Sequence, residues 1–458
     1  MLSGSMTRFS FLRHPIAIAG AVLTTMSALL FIVFFVAEAM GMHTNPYMGI
    51  VFFIFLPVLF IVGLVLIPLG SWRQRKRIAA GRGDALWPTL DLNSPRHRQV
   101  TATVLMLTFV NVVIVSLAAV SGVHFMDSTG FCGTVCHEAM EPQYVAFQTG
   151  EHARVGCAQC HIGSGASSFV EAKMAGTRQL LSVTLNTFAR PIPSPVHNLR
   201  AAPETCGQCH WPEKFHGDKI TTKREYADDE TNTPSETVLQ MRIGGGNDGL
   251  RTPTGIHWHT SSANTVEYIT TDATRQTIPW VRVTDRSGAV REYVLEGTSA
   301  EALANGKRRT MDCVDCHNRA GHPFANSPQR AVDAAISAGE MPADLPFARR
   351  QSVAALSAAY DSKPAALDAI ASSLRTFYRT DQPAVFASRT QDVERVVTAT
   401  QALYSRNIFP SMKVGFGTYI NNLGHTDFPG CFRCHDDTKK TQDGRVISQS
   451  CDLCHTIR

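Results

Sequence analysis

All 12 cysteines of the chain fall into six pairs, and a histidine directly follows the second cysteine of every pair. The six sets are Cys132/Cys136/His137, Cys157/Cys160/His161, Cys206/Cys209/His210, Cys313/Cys316/His317, Cys431/Cys434/His435 and Cys451/Cys454/His455. Five pairs enclose two residues and the first encloses three. The spacing reads as covalent attachment of c-type haem: two thiols take the vinyl groups, and the adjacent imidazole reaches the iron from the same loop. Zinc ribbons and disulfides also pair cysteines, but neither needs a histidine after every second one. With 17 His in 458 residues, six such coincidences would arise by chance about once in a billion. A chain that carries six haems is expected to fold around them, with stacked cofactors supplying the apolar area that short motif segments lack.

Three uncharged apolar runs of spanning length, at about 16–36, 48–69 and 104–123, precede all the cysteines and predict three transmembrane helices. The first run is long and leads into the second without a small-residue cleavage pattern, unlike a signal peptide. Arg73, Arg75, Lys76, Arg77, Arg82, Arg96 and Arg98 follow the second run, whereas 41–47 has no Lys or Arg. By the positive-inside rule everything after 123 lies outside. Covalent haem attachment in bacteria also takes place outside the cytoplasmic membrane, so both arguments give the bacterial inner membrane with a periplasmic haem domain. His14, His43, His97 and His124 lie outside the runs or at a rim, leaving no haem ladder across the bilayer. The net charge of +5 is not gathered into an aromatic-interleaved basic surface, which argues against a nucleic-acid partner.

The fold class expected is therefore three transmembrane α-helices plus a mainly irregular and α-helical periplasmic multihaem domain with a small β-hairpin insert. Residues 1–124 form the anchor, 125–220 carry haems 1–3, 221–300 hold a loop and the β insert, and 301–458 carry haems 4–6. Met174, Leu180, Leu181, Val183 and Leu185 are spaced for an amphipathic helix over 172–189, lying on the membrane surface or burying its face in a core. Pro191, Pro193 and Pro195 stop it. The stretch 229–249 reads as a polar, glycine-rich loop. Strands are expected at 265–269, 278–283 and 290–295, with a turn at 285–288. Ser327 with Pro328 starts a helix that Gly339 stops, and 363–378 and 391–404 continue the helical pattern.

Eight histidines outside the motifs lie on the outer side: His124, His152, His197, His216, His257, His259, His322 and His425. Six low-spin haems need up to six distal ligands, so supply matches demand for bis-His coordination. His152, His257, His259, His322 and His425 are the stronger candidates by their places near motifs, and His257-Trp258-His259 would present two imidazoles on one side of a strand. Met140 follows His137 closely and Met126 precedes it; a thioether ligand would raise the potential of the first haem relative to bis-His. Apolar contact with lipid or porphyrin is the other reading of Met140.

The apolar run leading into a haem motif with a nearby Met, the stretch from His152 through Cys157 and Cys160 to His161, and the helix containing Lys173-Met174 resemble the NapC/NirT family of membrane-anchored quinol dehydrogenases. The run from Thr205 to Phe215 looks like the family's longer members, and the six motifs with extra helices look closest to inner-membrane cytochromes of the ImcH type. The resemblance covers about residues 100–220. It implies a quinol pocket at the outer membrane face beside the first haem, with Lys173 at the position of the family's quinol-site lysine. Glu171, Glu138, Glu141 or Glu38 would serve as proton partner; otherwise Lys173 snorkels from an interfacial helix. The activity expected is oxidation of menaquinol or a related quinol, with electrons passing through six haems to a periplasmic redox protein or a membrane complex. A terminal reductase of a small oxyanion, or an electron-wire subunit, are the rival readings.

Overall fold

In a computed structural model of the chain, the described residues are 14–39, 55–81, 93–95, 98–99, 102, 106, 121, 125–126, 128–135, 137–163, 166–196, 200–211, 215, 217–244 and 254–458. They belong to two units. The first comprises 1–127 with 164–177, and the second 128–163 with 178–458.

In the first unit helix α1 (Pro15–Ala39) packs antiparallel on α2 (Leu56–Ala79). Small residues make the seam: a Cβ on Gly20 would meet the Gly63 carbonyl at 2.7 Å, Gly63 lies against Thr24, and Gly70 against Ala17. In lipid no hydrophobic effect drives apolar helices together, so close backbone approach at Gly and Thr is how such a pair gains van der Waals contact. Of the three spans expected, one described helix is long and apolar enough to cross a membrane, over Val58–Ala79. The apolar part of α1 described in full, Pro15–Leu30, is shorter. The third expected span falls outside the described residues except for Met106 and Ser121. Helix α2 also departs from 48–69, because it runs on through Arg73, Arg75, Lys76 and Arg77. Lys and Arg are strong helix formers and sit favourably in the last turns, so the helix outlasts the apolar run.

The second unit holds helix α3 (His137–Gln148), a helical bundle and two antiparallel sheets. Helix α4 (Ala166–Thr184) begins in the first unit and ends in the second. It leaves Met174, Leu180 and Leu181 exposed, as is Leu185 beyond its end, so this stripe is not buried in a core. The bundle comprises α5 (Pro328–Ser337), α6 (Ala348–Ser357), α7 (Lys363–Asp381), α8 (Pro383–Ser388) and α9 (Thr390–Asn407). Ser327 and Ser362 accept from the backbone N–H groups of Arg330 and Ala365, with Pro328 and Pro364 in the first turns that follow, so two of the five starts carry the preferred cap. Val332, Leu345, Ile370, Tyr378, Val393 and Val396 are fully buried between them.

Strands β1 (Asp218–Tyr226) and β2 (Pro234–Arg242) pair along their full length, and β8 (His455–Ile457) adds to β2. The region read as a loop over 229–249 therefore contains a nine-residue strand. Strands β3 (Thr265–Thr270), β4 (Trp280–Thr284), β5 (Val290–Leu295), β6 (Lys307–Thr310) and β7 (Lys439–Lys440) form a second sheet in the order β6-β3-β4-β5-β7. It is larger than the small hairpin expected, because segments beyond 300 extend both its edges. Val266, Tyr268, Ile278 and Val281 form its buried face.

Candidate functional site

Each motif from the second onward is wound into one tight turn. Cys157–His161 and Cys313–Cys316 are short α-helical turns; Cys206–Gln208, Gly430–Arg433 and Cys451–Leu453 are 3₁₀ turns. The second cysteine of each 3₁₀ motif stands one residue past its turn, and its N–H still donates to the carbonyl of the first. Those bonds are 3.1 Å for Cys209, 3.3 Å for Cys434 and 3.1 Å for Cys454. In three motifs the histidine N–H donates to the same carbonyl, at 2.8 Å for His210 and His317 and 3.1 Å for His435. These bonds bring two thiols and an imidazole together, as covalent haem attachment requires. The first motif lies in a π-helical turn, Phe131–Val135, whose wider winding takes up its extra residue. Tyr144 packs over Gly133 within that turn and leaves no room for a Cβ. Cys136 lies outside the described residues.

The turns face five histidines from elsewhere in the second unit. Ring centroids lie 6.1 Å apart for His152 and His210, 6.1 Å for His161 and His322, and 6.3 Å for His257 and His317. They lie 5.8 Å apart for His259 and His435 and 6.1 Å for His425 and His455. A metal bound between two imidazoles, with bonds of about 2 Å and ring nitrogens about 1.1 Å from each centroid, needs about 6 Å. Five pairs thus have the spacing of bis-imidazole coordination, each joining one motif histidine to one of the five stronger candidates. His257 and His259 stand on a 3₁₀ turn, Ile256–Thr260, and not on one side of a strand. At three residues per turn, positions two apart diverge by about 120°, which sends each ring to a different motif.

The outer nitrogens are held as ligands require. Nδ1 of His152, His257, His259 and His322 lies 3.1, 3.1, 2.8 and 2.9 Å from the carbonyl oxygens of Ala320, Ile243, Ile256 and Gln143. His435 Nδ1 lies 2.8 Å from that of Ser448. An Nδ1–H donating to a carbonyl fixes the tautomer that leaves Nε2 free for a metal. Burial lowers the pKa of His161, His257, His259 and His317 and takes His322 down to about 4, keeping the rings neutral. The donor set, spacing and tautomers all fit a haem iron.

The two thiols of a pair differ in exposure. Cys209 is exposed beside a half-buried Cys206, and Cys160 and Cys451 are exposed beside half-buried Cys157 and Cys454. These three turns bury no residue of their own, so contact with another motif decides which thiol is covered. The Cys157 thiol is hydrogen-bonded with Cys132, and Cys206 with Cys313. Cys160 lies within electrostatic reach of Cys206 and Cys209, Cys316 of Cys431, and Cys454 of Cys431. Phe432 of the fifth motif stacks on His425 at 4.2 Å. The motifs therefore follow one another in space in the order of the sequence.

Residues that sequence reasoning did not single out lock this array. Asp315, buried inside the fourth motif, accepts from Tyr268 Oη at 2.6 Å and Arg309 Nε at 2.8 Å, and pairs with Arg275 at 3.3 Å. Burial, together with the Asp315 charge, raises the Tyr268 phenol well above its ordinary pKa. Arg433 of the fifth motif donates to the carbonyls of Asp315, Gly430 and Arg275 at 2.7, 2.8 and 3.0 Å, tying motifs four and five. The only signal was charge inside a Cys-x-x-Cys interval.

Of the quinol-site candidates, Lys173 and Glu171 lie on α4 and Glu138 on α3. Glu171 is exposed, and of the Lys173 side chain nothing is described. Positions 171 and 173, two apart on a helix, fall on different faces of α4. Glu138 is exposed and pairs with Arg190 at 3.3 Å. Met140 is half-buried one turn beyond position 137 on α3, on the same helical face, so the helix does not set those positions on opposite sides of one iron.

Residues 94–191 match the NapC/NirT cytochrome c family, N-terminal region. The chain is 38% identical over 456 residues, 98% of this chain and 88% of the relative, to the cytochrome c-type protein ImcH of Geobacter sulfurreducens. No solved structure matches it.

Proposed function

The chain belongs to the NapC/NirT cytochrome c family, and from that premise we propose a membrane-anchored hexahaem quinol dehydrogenase of the bacterial inner membrane. A multihaem c-type cytochrome of electron transport follows from the family; six haems, quinol as donor and a periplasmic redox protein or membrane complex as acceptor are the finer reading. One observation carries it: five imidazole pairs spaced 5.8–6.3 Å, each with one member in a haem-attachment motif. Bound haem iron supplies one-electron chemistry at each pair.

The chain's own residues orient and insulate that chemistry. Carbonyls at Ala320, Ile243, Ile256 and Gln143 hold the distal imidazoles in register, and the sequential closeness of the motifs supports a path from the first haem to the last. Quinol oxidation releases two electrons and two protons, so a base beside the pocket must take protons as electrons leave. Lys173, Glu171 and Glu138 are the proposed groups, and Arg190 is paired with Glu138. The exposed apolar stripe of Met174, Leu180 and Leu181 supports an interfacial seat for α4, where a lipid-soluble donor arrives. Met140, on the face of position 137, would stand in for His137 and not opposite it.

The test is anaerobic stopped-flow reduction of the purified, detergent-solubilised protein by a menaquinol analogue, read in the haem bands. Fast reduction of all six haems, slowed at least about tenfold in Lys173→Ala with haem content unchanged, is the expected result. Reduction by dithionite but not by quinol would defeat the dehydrogenase reading.

A further inference from the structure

Residues 317–322 meet three of the five imidazole pairs. His317 faces His257, the Ala320 carbonyl accepts from His152, and His322 faces His161. Arg319 sits in the middle of this junction. Its Nε donates to the Ile420 carbonyl at 3.2 Å, its Nη2 to Ser194 Oγ at 2.7 Å, and its guanidinium lies 4.6 Å from the centre of the Tyr419 ring. All three partners are neutral. Among the described residues no carboxylate pairs with it.

The other partly buried arginines of the second unit differ. Arg349 pairs with Asp333 and Asp228, and Arg309 and Arg275 pair with Asp315. Arg433 has no acid, but it places Nε, Nη1 and Nη2 each on a backbone carbonyl. A desolvated guanidinium without an anion is costly, and a carboxylate, which its planar fork grips with two N–H groups, is the partner it is shaped for. The Arg319 charge reaches His322; the charges that act on His317 come from His257, His210 and His152 instead.

We propose that Arg319 binds a propionate carboxylate of the haem held between His161 and His322, and that its charge raises that haem's reduction potential. The proposal rests on the bis-His reading of that pair. Reduction takes ferric iron to ferrous iron and removes one positive charge from the haem, so a fixed cation nearby favours the reduced state.

The experiment is a potentiometric titration of the purified holoprotein, followed in the haem bands, on wild type, Arg319→Gln, Arg319→Lys and His322→Ala. His322→Ala identifies the transition of that haem by removing one bis-His low-spin signal. Failure to do so sinks the bis-His reading of that pair and with it the assignment of Arg319 to that haem, whereas the arginine variants test the proposal with the ligand assignment intact. In Arg319→Gln the same transition is expected to move alone to lower potential, its reduction equilibrium constant falling about tenfold, with Arg319→Lys restoring most of the change. An unmoved transition in a fully haem-loaded Arg319→Gln protein would overturn the proposal and leave Arg319 a packing residue for Tyr419 and Ile420. Should Arg319→Gln fail to mature, Arg319→Lys decides. Losing the planar fork must shift the propionate-bending band of one haem in resonance Raman spectra, and an unchanged band overturns the proposal.

Discussion

The bundle of 328–407 and the haem-attachment turns are built on opposite principles. Helix α9 alone buries eight residues, among them Val393, Val396, Leu403 and Tyr404, whereas the turns Cys157–His161, Cys206–Gln208 and Cys451–Leu453 bury none. The bundle closes on its own side chains; the turns have too little apolar area to order themselves and depend on covalent cofactor to supply it. The two meet at α3, the helix after the first motif. Lys363 at the start of α7 pairs with Glu141 at 3.2 Å, and Ala146 packs with Phe409 and Met412. A stretch that carries no motif thus serves as the platform for the helix bearing Met140.

The sharpest way to break this contrast is to deny the chain its haem. Expressed without haem attachment, the full chain should keep amide-exchange protection in 328–407 and lose it in the motif turns; loss in both would show that the bundle too is held by cofactor. Within the bundle, Leu374→Ala should cost about 2–5 kcal/mol through cavity formation, since Leu374 is 1% exposed. The fall in thermal midpoint should leave the haem spectrum intact, and a spectral change would mean that the platform reaches further into the array.

What could be read in advance follows the same division. The cap at Ser327 and the helical patterns over 363–378 and 391–404 are local signals, and the helices formed close to where they were read. The motifs, and the five histidines whose rings stand near motif imidazoles, could be singled out because ligand chemistry demands particular side chains. The unequal exposure of Cys206 and Cys209 was not legible, since it depends on which motif lies alongside. Strands β1 and β2 were not legible either. In β2 the first four residues are exposed on both faces, so no period-two alternation marks it, and β1 is hardly better buried. Asp315 and Arg319 were invisible for another reason. Their meaning lies in what they meet, Tyr268 and Arg309 for one and only neutral oxygens for the other, and those partners come from distant segments.

The 3₁₀ turn at Ile256–Thr260 gives a finer test of the array. His257→Ala and His259→Ala should each convert one low-spin haem to high spin, and the double variant two, because the rings face different motifs. Each should cost about 1–2 kcal/mol through the lost Nδ1–carbonyl bond alone. Magnetic circular dichroism counts the spin states. Loss of the same signal in both single variants would return the pair to one side of a strand, as the sequence implied.

The smallest effect is expected in the turn that joins sheet to array. Burial of Asp272 works against its charge, yet the Thr274 hydroxyl and the N–H groups of Thr277, Gln276 and Thr274 outweigh it and lower its pKa to about 2. The turn presents Arg275, at φ +60°, to Asp315, and Gln276 to Asn422. A carboxylate whose folded pKa lies below its unfolded value stabilises the fold above the unfolded value and loses that contribution as pH falls through the folded one. Asp272 is only partly buried, so Asp272→Asn should cost only about 1 kcal/mol at pH 7 after screening is allowed for. The cost should shrink as pH drops below about 4 and vanish as it falls through about 2, because the unfolded chain takes up the proton first and the folded carboxylate only at its own lower value. Thermal midpoints of the two proteins across that range measure the difference. A gap that stayed constant into acid would mean that the asparagine disturbs the Arg275–Asp315 contact itself, and that the sheet is coupled to the haem turns more tightly than one charge on a surface loop requires.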